Sequence, residues 1–427
     1  MEAIHLKTVD PVGQALLRLA SGQGLELSWD RFEALQPQDG FVRTGLSCAF
    51  GCMQGPCRID PFGRGAKAGV CGLDRDGMVA STVLRLCLDG ALEAGLDGSE
   101  AAAAAAMLRR PQASAADLLR QALRLARGVA DKAQDAAGTY AVEVGYGTLA
   151  GGPAIGVAGT IAKDTAAKLA GKRAVSLGSW TVVNGALLPF ACTSGEAELA
   201  LVSRRISALV AGGDAEPGLV ALARKLGIPV GLDGSPAKPL PPGTGDADIA
   251  PGQVGKASVH LGAQAVAGAL KEIKTPVALV GGFDTPHQSL GWLPTDIAPF
   301  LIDGGTTVAA WGDAALWVAK AGFADSSRKN PAILVGPQAG ALDVVKAVGT
   351  GRIKGACFAG LRDARDAALA FALAVLGVRV LVATPLPVWG SKAVMAALAD
   401  QLAASGGALT HVDKPIGADA VRAWFSE

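Results

Sequence analysis

Four of the seven cysteines, Cys48, Cys52, Cys57 and Cys71, fall in one Gly/Pro-rich stretch, with three, four and thirteen residues between successive members. Thiolates this close on a loop can wrap one metal centre, and four of them match the usual ligation of a [4Fe-4S] cluster. Zinc is the competing use of four cysteines, although structural zinc sites usually arrive as two separated Cys pairs of short spacing. Four unliganded buried thiols are the remaining alternative. The spacing predicts Cys48, Cys52, Cys57 and Cys71 as the cofactor-binding metal ligands of one [4Fe-4S] cluster, and no catalytic side chain is picked out beside them.

The elements around this loop are helical. Apolar residues recur at three and four from Asp10 to Arg31 and again from Asp76 to Ala137, as in Leu118, Leu119, Ala122, Leu123, Leu125 and Ala126. The Ala101–Ala106 run is a strong helix former and needs no further meaning. Cys87 lies on the apolar face of such a helix and is expected in the core. After Tyr140 short apolar runs alternate with helical stretches, at Ala154–Ala158, Ile206–Val210, Ile228–Leu232, Pro276–Val280, Thr307–Ala310, Ala332–Val335, Lys354–Phe358 and Val378–Val382. That alternation predicts a mostly parallel sheet with helices on both faces. The expected fold class is α/β with an N-terminal all-α region: a helical cluster-binding domain over 1–140, then two Rossmann-like domains over 141–270 and 271–427. The Pro-rich stretch Ser235–Gly243 reads as a surface connection.

Composition bounds the partners. The 39 basic and 38 acidic residues nearly cancel, so bulk charge invites neither nucleic acid nor an anionic membrane. No apolar run is long enough for a spanning helix, so no membrane insertion is expected. The cysteines make no even-numbered extracellular framework and no charged-then-apolar leader opens the chain, so a cytoplasmic location with reduced thiols is expected.

Other motifs say less. Gly145-Tyr-Gly-Thr-Leu-Ala-Gly-Gly152 has neither the dinucleotide spacing nor a Walker Gly-Lys-Ser/Thr, and reads as a strand-to-helix turn. His5, His260, His287 and His411 have no supporting motif and are expected as surface or satisfied core histidines.

Trp29-Asp-Arg-Phe-Glu-Ala-Leu-Gln-Pro-Gln38, Gly55-Pro-Cys-Arg-Ile-Asp-Pro-Phe-Gly63 and Gly69-Val-Cys-Gly72 with Asp76 resemble the N-terminus of the nickel-iron carbon monoxide dehydrogenases. The resemblance implies that Cys48, Cys52, Cys57 and Cys71 hold an internal [4Fe-4S] relay cluster, though the family's first spacing is usually two residues rather than three. Two further family cysteines, which hold a cluster shared across a homodimer, correspond to Asp39 and Ser47, so that intersubunit cluster is expected to be absent. Ala191-Cys-Thr-Ser-Gly-Glu196, Ile206–Asp214 and Gly351–Gly355 resemble segments around the family's nickel-iron-sulfur active site. Of its ligands only Cys192 matches. The other positions fall at Leu187–Pro189, near Asp214, at Leu361–Asp363, in Pro385–Pro387 and near Thr410–Val412. An active-site cluster cannot be assembled from Cys192 and Cys357 alone, so no nickel is expected.

Two functions follow from the resemblance. The leading one is a cytosolic [4Fe-4S] protein without the nickel ligands, acting in electron transfer or as a subunit or scaffold of a larger redox complex. The alternative is an oxidoreductase with an altered active site between the Rossmann-like domains, using Cys192 with Asp214, His287 or a borrowed cofactor. A sensor or assembly factor is a third. A homodimer or a redox-protein partner is expected.

Overall fold

The computed structural model describes residues 6–48, 53–109, 113–131, 138–232, 254–337 and 339–427. These fall into two compact units, each discontinuous in sequence: residues 1–35 with 136–344, and residues 36–135 with 345–427. The grouping by contacts therefore crosses the boundaries proposed at 140 and 270, because the helices Pro11–Gly22 and Ser28–Ala34 join the first α/β unit.

The first unit carries strands β1 (Gly138–Val144), β2 (Ala154–Ala158), β3 (Ala174–Leu177), β4 (Val182–Val183), β5 (Ala186–Leu187), β6 (Phe190–Cys192), β7 (Ile206–Ala211), β8 (Val230–Leu232), β9 (Gly255–Leu261), β10 (Val277–Gly281), β11 (Thr307–Ala310) and β12 (Ile333–Leu334). Apart from the small antiparallel β4–β5 hairpin, they run in the order β10-β11-β12-β9-β1-β6-β3-β2-β7-β8. Pairing is parallel except between β1 and β9, which run antiparallel from Gly138 opposite Leu261 to Val144 opposite Gly255. Strands such as β2 and β10 are buried along their whole length, as expected of parallel strands covered on both faces. The parallel sheet with helices bears out the α/β expectation.

The second unit holds strands β13 (Ile353–Phe358), β14 (Arg379–Val382) and β15 (Ala408–Thr410), all parallel. The helices Arg75–Glu93, Ser99–Arg109 and Ala115–Asp131 supply its helical layer. Asp74 caps the first of them by accepting from the Gly77 N–H at 2.8 Å, which satisfies one of the orphan donors of the helix start. Arg75–Glu93 packs on Ala115–Asp131 and on Ala364–Val375, and the buried Cys87 belongs to that packing as expected. No helix among the described residues is long and apolar enough to cross a membrane.

Candidate functional site

In the second unit the cysteine loop is anchored by three buried apolar side chains, Leu46, Ile59 and Leu73. The residues that follow Leu46 and those that precede Ile59 run antiparallel to one another. Ser47 bridges Arg58 in antiparallel fashion, the Ile59 N–H donates to the Leu46 carbonyl at 3.0 Å, and the Cys48 N–H donates to the Cys57 carbonyl at 2.9 Å. Cys48 and Cys57 are thus backbone neighbours.

The third arm is brought in by a second tight turn. Ala68 bridges Asp74, the Gly69 N–H donates to the Leu73 carbonyl at 2.8 Å, and the Val70 N–H donates to Cys57 Sγ at 3.5 Å. This last contact brings the backbone just before Cys71 against the Cys57 sulfur. Gly69 packs closely at the approach: a Cβ there would lie 3.3 Å from Cys57 Cβ and 3.4 Å from Cys57 Sγ, and 3.0 Å from Met78 Cε. Arg75 ties the outer turn down, donating to the Asp60 carbonyl at 2.6 Å and the Pro61 carbonyl at 3.2 Å. Asp60 in turn accepts from the Arg64 and Gly65 N–H groups, and the Arg64 bond holds its carboxyl below the usual range.

Cys48 and Cys57 are half-buried and Cys71 is exposed, while Cys52 lies outside the described residues. Among the described residues no three His, Cys, Asp or Glu side chains are set to hold a metal ion. The donors nonetheless fit an iron-sulfur cluster in kind: soft sulfur ligands on adjoining turns, a backbone N–H on one sulfur, and a glycine that puts no side chain against that sulfur.

The two positions read as lost cysteines have local roles. Asp39 accepts from the Phe41 N–H at 2.8 Å at the start of the helix Gly40–Thr44 and pairs with Arg58 at 2.8 Å, while Ser47 forms the bridge to Arg58.

A second constellation lies in the first unit, at the carboxyl ends of β1, β6, β10 and β11, where open α/β sheets bind ligands. Cys192 is buried, and burial followed by the charge of Glu196 pushes its thiol well up, so it is held neutral. The buried Lys320 ammonium pairs with Asp10 and, at 2.9 Å, with Glu196, and sits over the Tyr146 and Trp317 rings at 4.8 and 4.5 Å. Burial pulls Lys320 down, but Glu196 and Asp10 together outweigh it and its pKa is raised. Glu196, fully buried, is itself raised by desolvation against the pull of Lys320.

Beside these groups, Asp284 accepts from Thr193 Oγ1 at 2.6 Å, from the Trp317 indole at 2.8 Å and from the Gly291 N–H at 3.2 Å. Asp313 accepts from the Ser194 N–H at 2.9 Å and from its hydroxyl at 2.5 Å. The residue Asp284 keeps partial exposure, but its carboxyl is enclosed by these donors, and burial with the neighbouring Asp313 pushes it up to about 8.

Sequence reasoning found Cys192 and missed Asp10, Lys320, Asp284 and Asp313. A signal was present in the two aspartates, each of which follows an apolar strand and a glycine, at Gly282-Phe283-Asp284 and Gly312-Asp313. Asp214 instead holds the loop after β2, accepting from the Thr160 N–H at 2.5 Å and hydroxyl at 2.8 Å. The described histidines have ordinary partners: His287 meets Phe32 edge-on at 5.0 Å, His411 meets Trp389 at 4.9 Å, and His260 Nδ1 lies 3.0 Å from Thr139 Oγ1. The Gly145–Gly152 segment is a turn with a short 3-10 helix, Tyr146–Leu149.

The fold and the thiol corner define a mixed α/β protein with a large parallel sheet and a helix-flanked cysteine loop. No protein-family model matches the chain. Carbon monoxide dehydrogenase 1 of Carboxydothermus hydrogenoformans is 49% identical over 84 residues, which is 20% of this chain and 13% of that protein. The matched segment thus spans about an eighth of that curated relative. Among solved structures, a nickel-free carbon monoxide dehydrogenase from Thermococcus sp. AM4 superposes with a TM-score of 0.78 at 15% identity, covering 98% of this chain and 96% of that one. Carbon monoxide dehydrogenase IV of C. hydrogenoformans superposes with a TM-score of 0.74 at 18% identity, covering 98% of both chains. The chain is thus similar to the carbon monoxide dehydrogenases, in sequence over a fifth of its length and in fold over nearly all of it.

Proposed function

We propose that the chain is a carbon monoxide dehydrogenase-type protein in which Cys48, Cys52, Cys57 and Cys71 hold one [4Fe-4S] cluster, and that it works in electron transfer or as a subunit of a larger redox complex, without nickel. The observation that carries this reading is the Val70 N–H donating to Cys57 Sγ beside the paired Cys48 and Cys57 backbones. Such a cluster supplies a one-electron store. The chain's own part is to present the thiolates, to stabilise negative charge on Cys57 through the Val70 N–H, and to leave Cys71 at the surface. A partner is required for that store to be useful, either a second copy or a redox protein, and the cytoplasm is the setting that keeps the thiols reduced.

The absence of nickel is inferred from the donor set. Cys192 is a buried neutral thiol, Cys357 is buried and its thiol is also pushed up, and the charges close to Cys192 are Glu196, Lys320, Asp313 and Asp10. A bound metal would deprotonate the thiols it takes, so the inference rests on the small number of soft donors, Cys192 and Cys357, and not on their protonation. The test is low-temperature EPR of oxygen-free protein before and after dithionite: a signal that appears on reduction and vanishes in Cys57→Ser supports the reading, and a silent reduced sample rejects it.

The alternative, an oxidoreductase with an altered active site, draws its support from the Lys320, Glu196, Asp10 and Cys192 constellation at the carboxyl ends of the strands.

A further inference from the structure

One edge of the sheet in the first unit carries a charge pattern that the near-zero net charge of the chain conceals. Strands β3, β2, β7 and β8 lie side by side and parallel, so the segments that enter them share an edge. Three of those segments hold a basic pair. Lys172-Arg173 stands directly before β3, Arg204-Arg205 directly before β7, and Arg224-Lys225 closes the helix Pro217–Lys225 that leads to β8. The carboxylates between residues 154 and 232 are gathered at the opposite edge. Asp164, Glu196, Glu198, Asp214 and Glu216 all stand at or just before the starts of the helices Lys163–Ala167, Ala197–Val202 and Pro217–Lys225.

Nothing in the first unit neutralises the row. Its described ion pairs involve Lys7, Arg31, Lys256 and Lys320, and none of the six cations. Arg173 donates to the Thr148 carbonyl at 2.6 Å and the Gly152 carbonyl at 3.2 Å, and Arg204 to the Leu226 carbonyl at 3.0 Å. These acceptors are neutral, so they fix the guanidinium groups and leave the positive charge whole. Arg205 is half-buried with its Nε lacking an acceptor among the described residues, and the other five cations are exposed. Cations at helix ends also offset the helix dipole, but that role does not call for Arg204 where it is. Arg204 follows the last helical turn at φ +57°, a position and conformation that favour glycine.

We propose that this edge binds the phosphate backbone of a nucleic-acid duplex, independently of its sequence. Four of the six cations are arginines, whose rigid fork matches phosphate oxygens. Strands about 5 Å apart spread the three pairs over about 15 Å, the length of roughly four base-pair steps. The large apolar side chains of these segments, Leu169, Leu226 and Ile228, are buried, so the edge offers neither the apolar centre of a protein interface nor an anchor for a membrane. The segments also carry no aromatic residue on which an unpaired base could stack. Contacts to phosphate hold a duplex without reading it. The edge belongs to the first unit and owes nothing to the cluster reading.

The probe is a fluorescein-labelled 20-base-pair DNA duplex of mixed sequence, titrated with the full chain and followed by anisotropy between 50 and 200 mM salt. Six phosphate contacts predict a slope of log affinity against log salt of about −5, a loss of about a thousandfold over that range. Lys172→Gln/Arg224→Gln/Lys225→Gln is expected to make the slope shallower by about 3, and Lys163→Gln, outside the row, to leave it unchanged. A duplex left free at 50 mM salt overturns the proposal, as does a triple variant that melts like the wild type and keeps its slope. Retention on anionic phosphatidylglycerol vesicles without duplex binding also overturns it, because the occupant is then a membrane surface. Affinities that differ more than tenfold between duplexes of unrelated sequence contradict the backbone contact.

Discussion

The Val70 backbone N–H donates to Cys57 Sγ at 3.5 Å, joining the two ends of a thirteen-residue excursion through a single contact. Hydrogen bonds to ligand sulfurs help set cluster potentials. Val70→Pro removes the donor and is expected to keep the iron while lowering the midpoint potential, because the bond stabilises the more negative reduced state. Cys57→Ser is expected to lose most of the iron. A redox titration in which Val70→Pro matches the wild type would show that this N–H does not face a ligand sulfur.

Lys320 is the sole cation placed against Asp10 and Glu196 among the described ion pairs, and all three are buried. Lys320→Met strands two carboxylates and is expected to cost about 3–5 kcal/mol. Lys320→Met/Asp10→Asn/Glu196→Gln removes the stranded charges and is expected to recover most of that loss. Urea denaturation of the single and triple variants decides it, and equal loss in both would mean that packing rather than charge is at stake.

Asp284 gives stability a pH dependence. Its carboxyl ionises near the ordinary value of about 4 when unfolded but keeps its proton to about 8 when folded. The folded state therefore binds more protons between those values, so this contribution is full below about pH 4 and is lost as the pH rises towards 8. Asp284→Asn is expected to flatten the decline. Thermal melts across that window with the same slope in both proteins would reject the assignment.

Gly90 allows the helix Arg75–Glu93 to meet Ala364–Val375: an added Cβ would lie 2.2 Å from the Ala364 carbonyl oxygen and 2.6 Å from Ala368 Cβ. Gly90→Ala gains up to about 1 kcal/mol of helix propensity but overpacks the contact by about 1–3 kcal/mol. Net destabilisation in a denaturant titration is expected, and a stabilised variant would contradict the close approach.

Much of the strand pattern was legible because buried parallel strands are continuous apolar runs, as at Ala154–Ala158 and Thr307–Ala310. The central antiparallel pair β1 and β9 was not, since Gly-Thr-Tyr-Ala-Val-Glu-Val alternates exposed and covered positions and has no such run. The cysteine loop was legible by spacing. The ion cluster was not, because Asp10 and Lys320 meet only through the tertiary fold, and periodicity reports nothing at that separation. The same limit hides why Pro11–Gly22 groups with the α/β unit: its cap residue is Asp10, a partner of Lys320.

The central claim is one four-cysteine cluster and no nickel site. Iron and nickel counted per chain on protein purified without oxygen test it directly. The account predicts about four iron atoms and no nickel; stoichiometric nickel accompanied by clearly more iron would contradict it and place an active-site cluster in the α/β part of the chain.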